Sequence, residues 1–445
     1  MSLQVFKVTS VLKCLGRLRR PRVTAMVPTI LIIATLDTKE TEADYLRRAI
    51  EENGFSTLIM DTGILAAPRR IKPNISREEV AIAGGMPINE LLATGNKGKC
   101  IEVMIKGAAK VAQQRYAEGS FAGVIGIGGS QGTNIATAVM QSLPFGVPKL
   151  MVSTVACGTA TFGPFVGTKD VAIMHSVVDV QGVNALTTRV FRNAAGAICG
   201  MVRSAMNQGG REQRGKVVAM SMLGTTTPGA LRAKALLEEK GFEVVAFHQN
   251  GTGGIAMEDL IQEGYFAGVL DINLHELADR LVGGLHGAIK EYRLESASQA
   301  GLPQVIAPGS IEYTVQGPLD SLTPEMRRRK YIVHNPTLTL VRLSHEELSE
   351  VAKLLADKIN RARGLVKVFL PLKGFSYPNR EGEELWDPQG NLVFIETFKE
   401  RISPSIPVEE VNAHINDPQF IDLVVDSFLE MMSEQDDVKA GRCTQ

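Results

Sequence analysis

The densest concentration of chemistry in this chain is Gly126-Ile-Gly-Gly-Ser-Gln-Gly-Thr133, at the end of the apolar run from Phe121 to Ile127. Gly126, Gly128, Gly129 and Gly132 let backbone N–H groups approach a phosphate closely, and Ser130, Gln131 and Thr133 add polar side chains. The apolar positions Ile135, Ala136, Val139 and Met140 predict a helix immediately afterwards, whose start carries partial positive charge. Gln131 stands where the third glycine of the dinucleotide fingerprint belongs, and no Gly-Lys-Ser/Thr follows, so the stretch is neither that fingerprint nor a Walker A loop. The plainer alternative is a tight strand-to-helix turn that needs glycine and binds nothing. Four glycines exceed what one turn requires, which favours an anion, the phosphate of a nucleotide.

Other chemistry-bearing residues also sit where strands end. Ala34-Thr-Leu-Asp-Thr-Lys-Glu40 offers Thr38 and Lys39 to a phosphate, although helix capping accounts equally for Asp37 and Thr38. Asp61 ends the next strand, where a carboxylate can hold Mg²⁺ or serve only as a turn residue. Ser153 and Thr154 leave a further strand and resemble a second wall for the same pocket. Cys157 beside them has no base identified in the sequence, and a buried small thiol is the commoner role. In the second half Asp271, Asn273, His275 and Glu276 follow a strand, a set suited to acid–base or metal chemistry. Glu312, His334, Lys373 and His414 lie in polar, loop-like stretches, and their convergence on Asp271 and Glu276 is an expectation. Asp271, Glu276, Glu312 and His334 are the candidate catalytic set.

The elements that must position these residues alternate strand and helix from Thr29 onward, which predicts an α/β protein with mainly parallel sheets covered by helices. The 445 residues exceed one core, and polar, glycine-rich Asn207–Gly215 marks a boundary. The expected organisation is a basic leader or non-native upstream start at 1–25, a nucleotide-binding α/β domain at 26–210, a second α/β domain at 211–432 and a polar tail at 433–445. Leu36 to Gly54-Phe55 and Leu223 to Gly241-Phe242 span the same interval, and Gly119-Ser-Phe-Ala-Gly-Val124 reappears as Gly264-Tyr-Phe-Ala-Gly-Val269. These echoes predict two doubly wound, Rossmann-like units related by internal duplication. The glycine loop of the first copy then corresponds to Asp271-Ile-Asn-Leu-His-Glu276 in the second.

Composition narrows the function classes. Lys+Arg and Asp+Glu both count 48, and aromatics are 5%, so neither a basic field nor stacking platforms support nucleic-acid binding. No apolar run reaches the roughly 18 residues of a membrane span. Five scattered cysteines without C-x-x-C spacing argue against disulfides and a cysteine zinc site, and point to a reducing compartment. That is the cytoplasm, or the mitochondrial matrix if the acid-free segment 1–25 is a transit peptide.

Taken together, Ala34–Lys39, Gly126–Thr133, Val152–Gly158, His175–Val180, Val333–Pro336, Leu370–Gly374 and His414–Pro418 resemble one family. It is the family related to the N-terminal ATP-binding, inhibitory region of the tomato mosaic virus resistance protein. The resemblance runs from about Thr29 to Leu429, and implies two Rossmann-like halves, ATP in the first and a homodimer. The chain departs from the pattern at Asp271–Glu276, at His175 where Tyr is usual and at Cys157 where Ser is usual. These departures leave the first-domain nucleotide site intact and put any shared substrate of the second in doubt. The leading expectation is an ATP-binding protein that transfers or hydrolyses phosphate on a small metabolite in a cleft between its domains, with Mg²⁺ as cofactor. A nucleotide-responsive regulatory module without turnover is the alternative, and the broken fingerprint argues against a nicotinamide-dependent oxidoreductase.

Overall fold

The computed structural model describes residues 27–156, 163–207 and 216–439. The leader 1–25 and Cys157 lie outside them. The chain divides into two compact units, the first holding residues up to Val139 with Val147–Gly158 and Ile173–Ser204. The second holds Met140–Gly146, Thr159–Ala172 and everything from Ala205.

The first unit is built on β1 (Thr29–Ala34), β2 (Ser56–Asp61), β3 (Gly123–Gly128), β4 (Lys149–Ser153) and β5 (Ala172–His175), arranged β2-β1-β3-β4-β5. The pairings among β1 to β4 are parallel. β3 and β4 are buried along their whole length, as strands must be when helices cover both sheet faces. Between β2 and β3 the chain forms helices Arg77–Gly84, Ile88–Ala93 and Lys97–Ala117. A Cβ on Gly107 would lie 1.8 Å from the Val80 carbonyl oxygen, and one on Gly84 2.2 Å from that of Val103. Only glycines allow these two helices to pack backbone against backbone, and that contact anchors the insertion.

The second unit adds β6 (Val217–Met222), β7 (Glu243–His248), β8 (Gly268–Asp271), β9 (Gln304–Ile306), β10 (Tyr313–Gln316), β11 (Tyr331–Asn335), β12 (Leu338–Arg342), β13 (Val366–Pro371) and β14 (Val408–Val411). Six form a parallel sheet in the order β14-β13-β9-β8-β6-β7. One layer of apolar side chains joins this sheet to the C-terminal helix through Phe420, Ile421, Val424 and Phe428. Other layers carry Met257 and Ile261 of the Thr252–Gln262 helix, and Leu348, Val351 and Leu355 of the His345–Ile359 helix.

Counted along each main sheet, both units place their first five strands in the order second, first, third, fourth, fifth, and the second unit adds a sixth at the far edge. Neighbouring loops leave in opposite directions between the first and third strands, which opens a crevice at their C-terminal ends. That point lies between β1 and β3 in one unit and between β6 and β8 in the other. The second unit also differs from a plain copy of the first, because β10, β12 and β11 form a separate antiparallel sheet. Val333–Asn335, expected to be loop, is therefore strand. The C-terminal helix Pro418–Lys439 runs into the segment expected to be a polar tail.

Candidate functional site

In the first unit β3 ends at Gly128 and the helix Ser130–Ser142 begins two residues later. The first intrahelical bond runs from the Thr133 N–H to the Gly129 carbonyl at 2.8 Å, so the N–H groups of Ser130, Gln131 and Gly132 precede the helical ladder. The glycines here do different jobs. A Cβ on Gly128 would lie 2.8 Å from Gly132 Cα, so the turn needs glycine there, and one on Gly132 would press on the Ile127 carbonyl oxygen at 3.1 Å. A Cβ on Gly129 would meet nothing nearer than Thr154 Oγ1 at 3.6 Å among the described residues. Thr133 Oγ1 and Ser153 Oγ are buried and hydrogen-bonded to each other at 2.8 Å, and the Val155 N–H donates to Ser153 Oγ at 3.1 Å. These two hydroxyls brace the loop from beneath, while Thr154 faces Gly129. Gly126 lies within buried β3 and pairs with Ile33.

Across the switch point, the Leu36–Glu52 helix leaves β1 with Lys39 in a non-helical conformation. Thr38 is exposed, and its hydroxyl bonds back to Thr35 and Asp37. Asp61 is buried at the end of β2. Its Oδ1 accepts from the Leu36 N–H at 3.0 Å and the Gly63 N–H at 2.8 Å, while Oδ2 has no hydrogen-bond partner among the described residues. Burial pushes the Asp61 carboxyl up to about 6, against the pull of those two N–H donors. Asp61 also lines a cavity of about 420 Å³ with Arg69, Arg70 and Lys72 from the loop after β2. Those three cations are exposed and form no ion pair among the described residues.

The matching position in the second unit is built from charge. Arg293, 1% exposed, donates to Asp271 at 2.6 and 2.9 Å, to Glu258 at 3.2 Å, to Glu276 at 3.3 Å and to the Gln249 side-chain oxygen at 2.8 Å. Glu276 Oε1 also accepts the Gly251 and Gly254 N–H groups at 2.7 and 3.1 Å, which caps the Thr252–Gln262 helix with a negative group. Burial pushes the Glu258 and Glu276 carboxyls upward, against the pull of the Arg293 guanidinium beside them. Asp271 and Glu276, expected to face a substrate, are instead held in this internal network.

Above the network the strand ends converge. Ser221 Oγ donates to Asp271 at 2.6 Å, and Asn273 Nδ2 donates to Thr226 and Ser310 hydroxyls at 2.9 and 3.0 Å. Thr225 Oγ1 lies 2.8 Å from Ser310 Oγ and 2.9 Å from the Tyr313 hydroxyl. Glu312 is fully buried, accepts from the Ser376 hydroxyl through Oε1, and leaves Oε2 without a hydrogen-bond partner among the described residues. Burial drives its carboxyl upward despite the opposing charge of Arg342. His414 Nε2 lies 2.8 Å from the Ser376 carbonyl oxygen, which ties the loop after β14 to the same cluster. His334 stands apart, exposed on β11. The sequence reading missed Arg293 and Ser376, because their partners come from distant strand ends and they carry no local motif.

Two Rossmann-like units with contrasting strand-end loops, one bare and one densely charged, define the class of this protein. Residues 28–207 match the N-terminal domain of the uncharacterised protein family UPF0261, and residues 215–432 match its C-terminal domain. The chain belongs to that family. It is 39% identical to a UPF0261 protein of Clostridium tetani, over 91% of this chain and 99% of the relative. It is 32% identical to the ToMV susceptible protein tm-1(GCR26) of Solanum lycopersicum, over 91% of this chain and 56% of the tomato protein. Among solved structures, a UDP-GlcNAc 2-epimerase of Methanocaldococcus jannaschii aligns at 10% identity over 63% of this chain and 83% of its own, with a TM-score of 0.20. That likeness is too small to bear on function. No helix among the described residues is long and apolar enough to cross a membrane.

Proposed function

We propose that the first unit binds ATP, with its phosphates against the loop from Gly128 to Gly132, and that the protein transfers or hydrolyses phosphate on a small metabolite. Gly129 carries the reading. A side chain on its neighbour Gly128 would clash with Gly132 and one on Gly132 would be tight against Ile127, whereas Gly129 has room for a side chain and no positive φ that would demand glycine. A bare backbone that the fold does not require suits a ligand that must approach the peptide N–H groups closely. The unpaired cations Arg69, Arg70 and Lys72 at the neighbouring strand end match the charge of a polyphosphate. Asp61 Oδ2 is the carboxylate oxygen left for Mg²⁺, since Oδ1 is already engaged twice. In the second unit, Glu312 has the burial and the uncommitted oxygen of a general acid or base.

Isothermal titration of the full chain with ATP, ADP and NADH, with and without Mg²⁺, tests the reading. Binding of ATP in preference to NADH is the expected result. Absence of any nucleotide binding, or equal binding of NADH, would overturn it.

A further inference from the structure

His275 and Asp279 are one helical turn apart in the helix His275–Val282, so both side chains lie on one face. The helix ends at Gly283 in the left-handed conformation, φ 74°, and the following loop turns His286 back toward that face. His275, Asp279 and His286 each present a ligand atom, and these atoms lie within 4.8 Å of one another. His275 is fully buried, and its Nε2 has no hydrogen-bond partner among the described residues. Asp279 Oδ2 lies 3.4 Å from it, a charge contact without hydrogen-bond geometry. His286 Nδ1 is likewise buried and without a partner, although the residue as a whole is half-buried. Two orphaned imidazole nitrogens beside a carboxylate are costly to keep unless something joins them.

We propose that His275 Nε2, an Asp279 carboxylate oxygen and His286 Nδ1 form a site for one divalent transition-metal ion of the zinc class. Two imidazoles and a carboxylate make a donor set suited to such ions rather than to calcium or magnesium. The surroundings are those of a ligand set held in place. His275 Nδ1 lies 3.0 Å from the Ser310 carbonyl oxygen, a contact that fixes the tautomer leaving Nε2 as the electron-pair donor. Asp279 accepts the Val315 N–H through Oδ1 and the His286 N–H through Oδ2, both at 2.9 Å. The 4.8 Å spread exceeds the ligand separation of about 3.4 Å that bond lengths near 2.1 Å imply for tetrahedral zinc. Binding therefore draws the half-buried His286 loop inward. Three protein ligands leave a fourth position for water or a substrate oxygen.

The test is titration of the full chain, dialysed against EDTA, with ZnCl₂ and separately with CoCl₂, whose visible absorption reports coordination by the protein. His286→Ala removes a ligand from a loop, and Asp279→Asn removes the charge at nearly constant volume, so at least one variant folds if His275→Ala does not. One Zn²⁺ per chain is expected, weakened in His286→Ala by more than the roughly 100-fold upper range that loss of a supporting partner alone produces. Cobalt absorption should be lost in parallel, while the thermal midpoint of the metal-free variant stays that of the metal-free wild type. Absence of stoichiometric binding by the wild type would overturn the proposal, as would equal affinity in folded His286→Ala.

Discussion

The loop after β3 and the loop after β8 leave the third strand of two sheets with the same strand order, yet they are made in opposite ways. The first presents main chain, with Gly129 bare and the opening N–H groups of a helix ahead of their ladder. The second fills the same place with Asp271, Asn273, His275 and Glu276 and satisfies most of them internally through Arg293, Ser221 and Ser310. A strand end that keeps its donors free suits an incoming anion. One that locks carboxylates around a buried guanidinium fixes the positions of neighbouring side chains, and the contrast can be broken at either end.

The largest effect is expected at Arg293. Arg293→Met leaves Asp271, Glu258 and Glu276 buried without their common cation, and breaking a buried pair in this way costs about 3–5 kcal/mol. Urea unfolding should show that loss, and a loss below about 1 kcal/mol would mean the network is solvated rather than internal. Within the glycine loop, Gly128→Ala should cost about 1–3 kcal/mol, because its Cβ would press on Gly132 Cα at 2.8 Å. Gly129→Ala should change stability by less than about 1 kcal/mol while weakening ATP binding, which separates the turn from the ligand site.

A further effect, on pH rather than on a substitution alone, is expected at Asp61. The folded-state pKa of Asp61, about 6, lies above its unfolded value of 3.8, so the native state takes up the proton first. Charging Asp61 therefore costs stability as pH rises through 6. The wild type should gain about 1 kcal/mol relative to Asp61→Asn between pH 7 and pH 5, from the proton linkage of that one group. Parallel pH profiles for the two proteins would show that Asp61 ionises freely and that its Oδ2 is solvated.

Much of this contrast was legible in the sequence, and for identifiable reasons. The parallel strands announced themselves as short apolar runs, and at β2, β3 and β8 the run ends in aspartate or glycine, which marks the loops that carry the chemistry. The special packing of Gly128 against Gly132 was hidden, since four glycines in a row of eight look alike until the turn is built. Asp271 and Glu276 were found as polar residues at a strand end, but their partner Arg293 lies in an irregular stretch with no periodicity to mark it. The antiparallel β10–β12 sheet was missed because Val333-His-Asn-Pro336 carries turn residues, and the strand there is short and largely exposed. The helical spacing of His275 and Asp279, with His286 seven residues further on, was a readable signal that required knowing where the helix ended.

The most direct test of the contrast is the ATP-dependent thermal shift of the wild type beside that of Gly129→Asp, which puts a negative side chain where the phosphates would lie. The expected result is a clear rise in midpoint with ATP for the wild type and none for the variant, with equal midpoints in the absence of nucleotide. Equal stabilisation of both proteins by ATP, or of neither, would contradict the assignment of the bare strand end to the nucleotide.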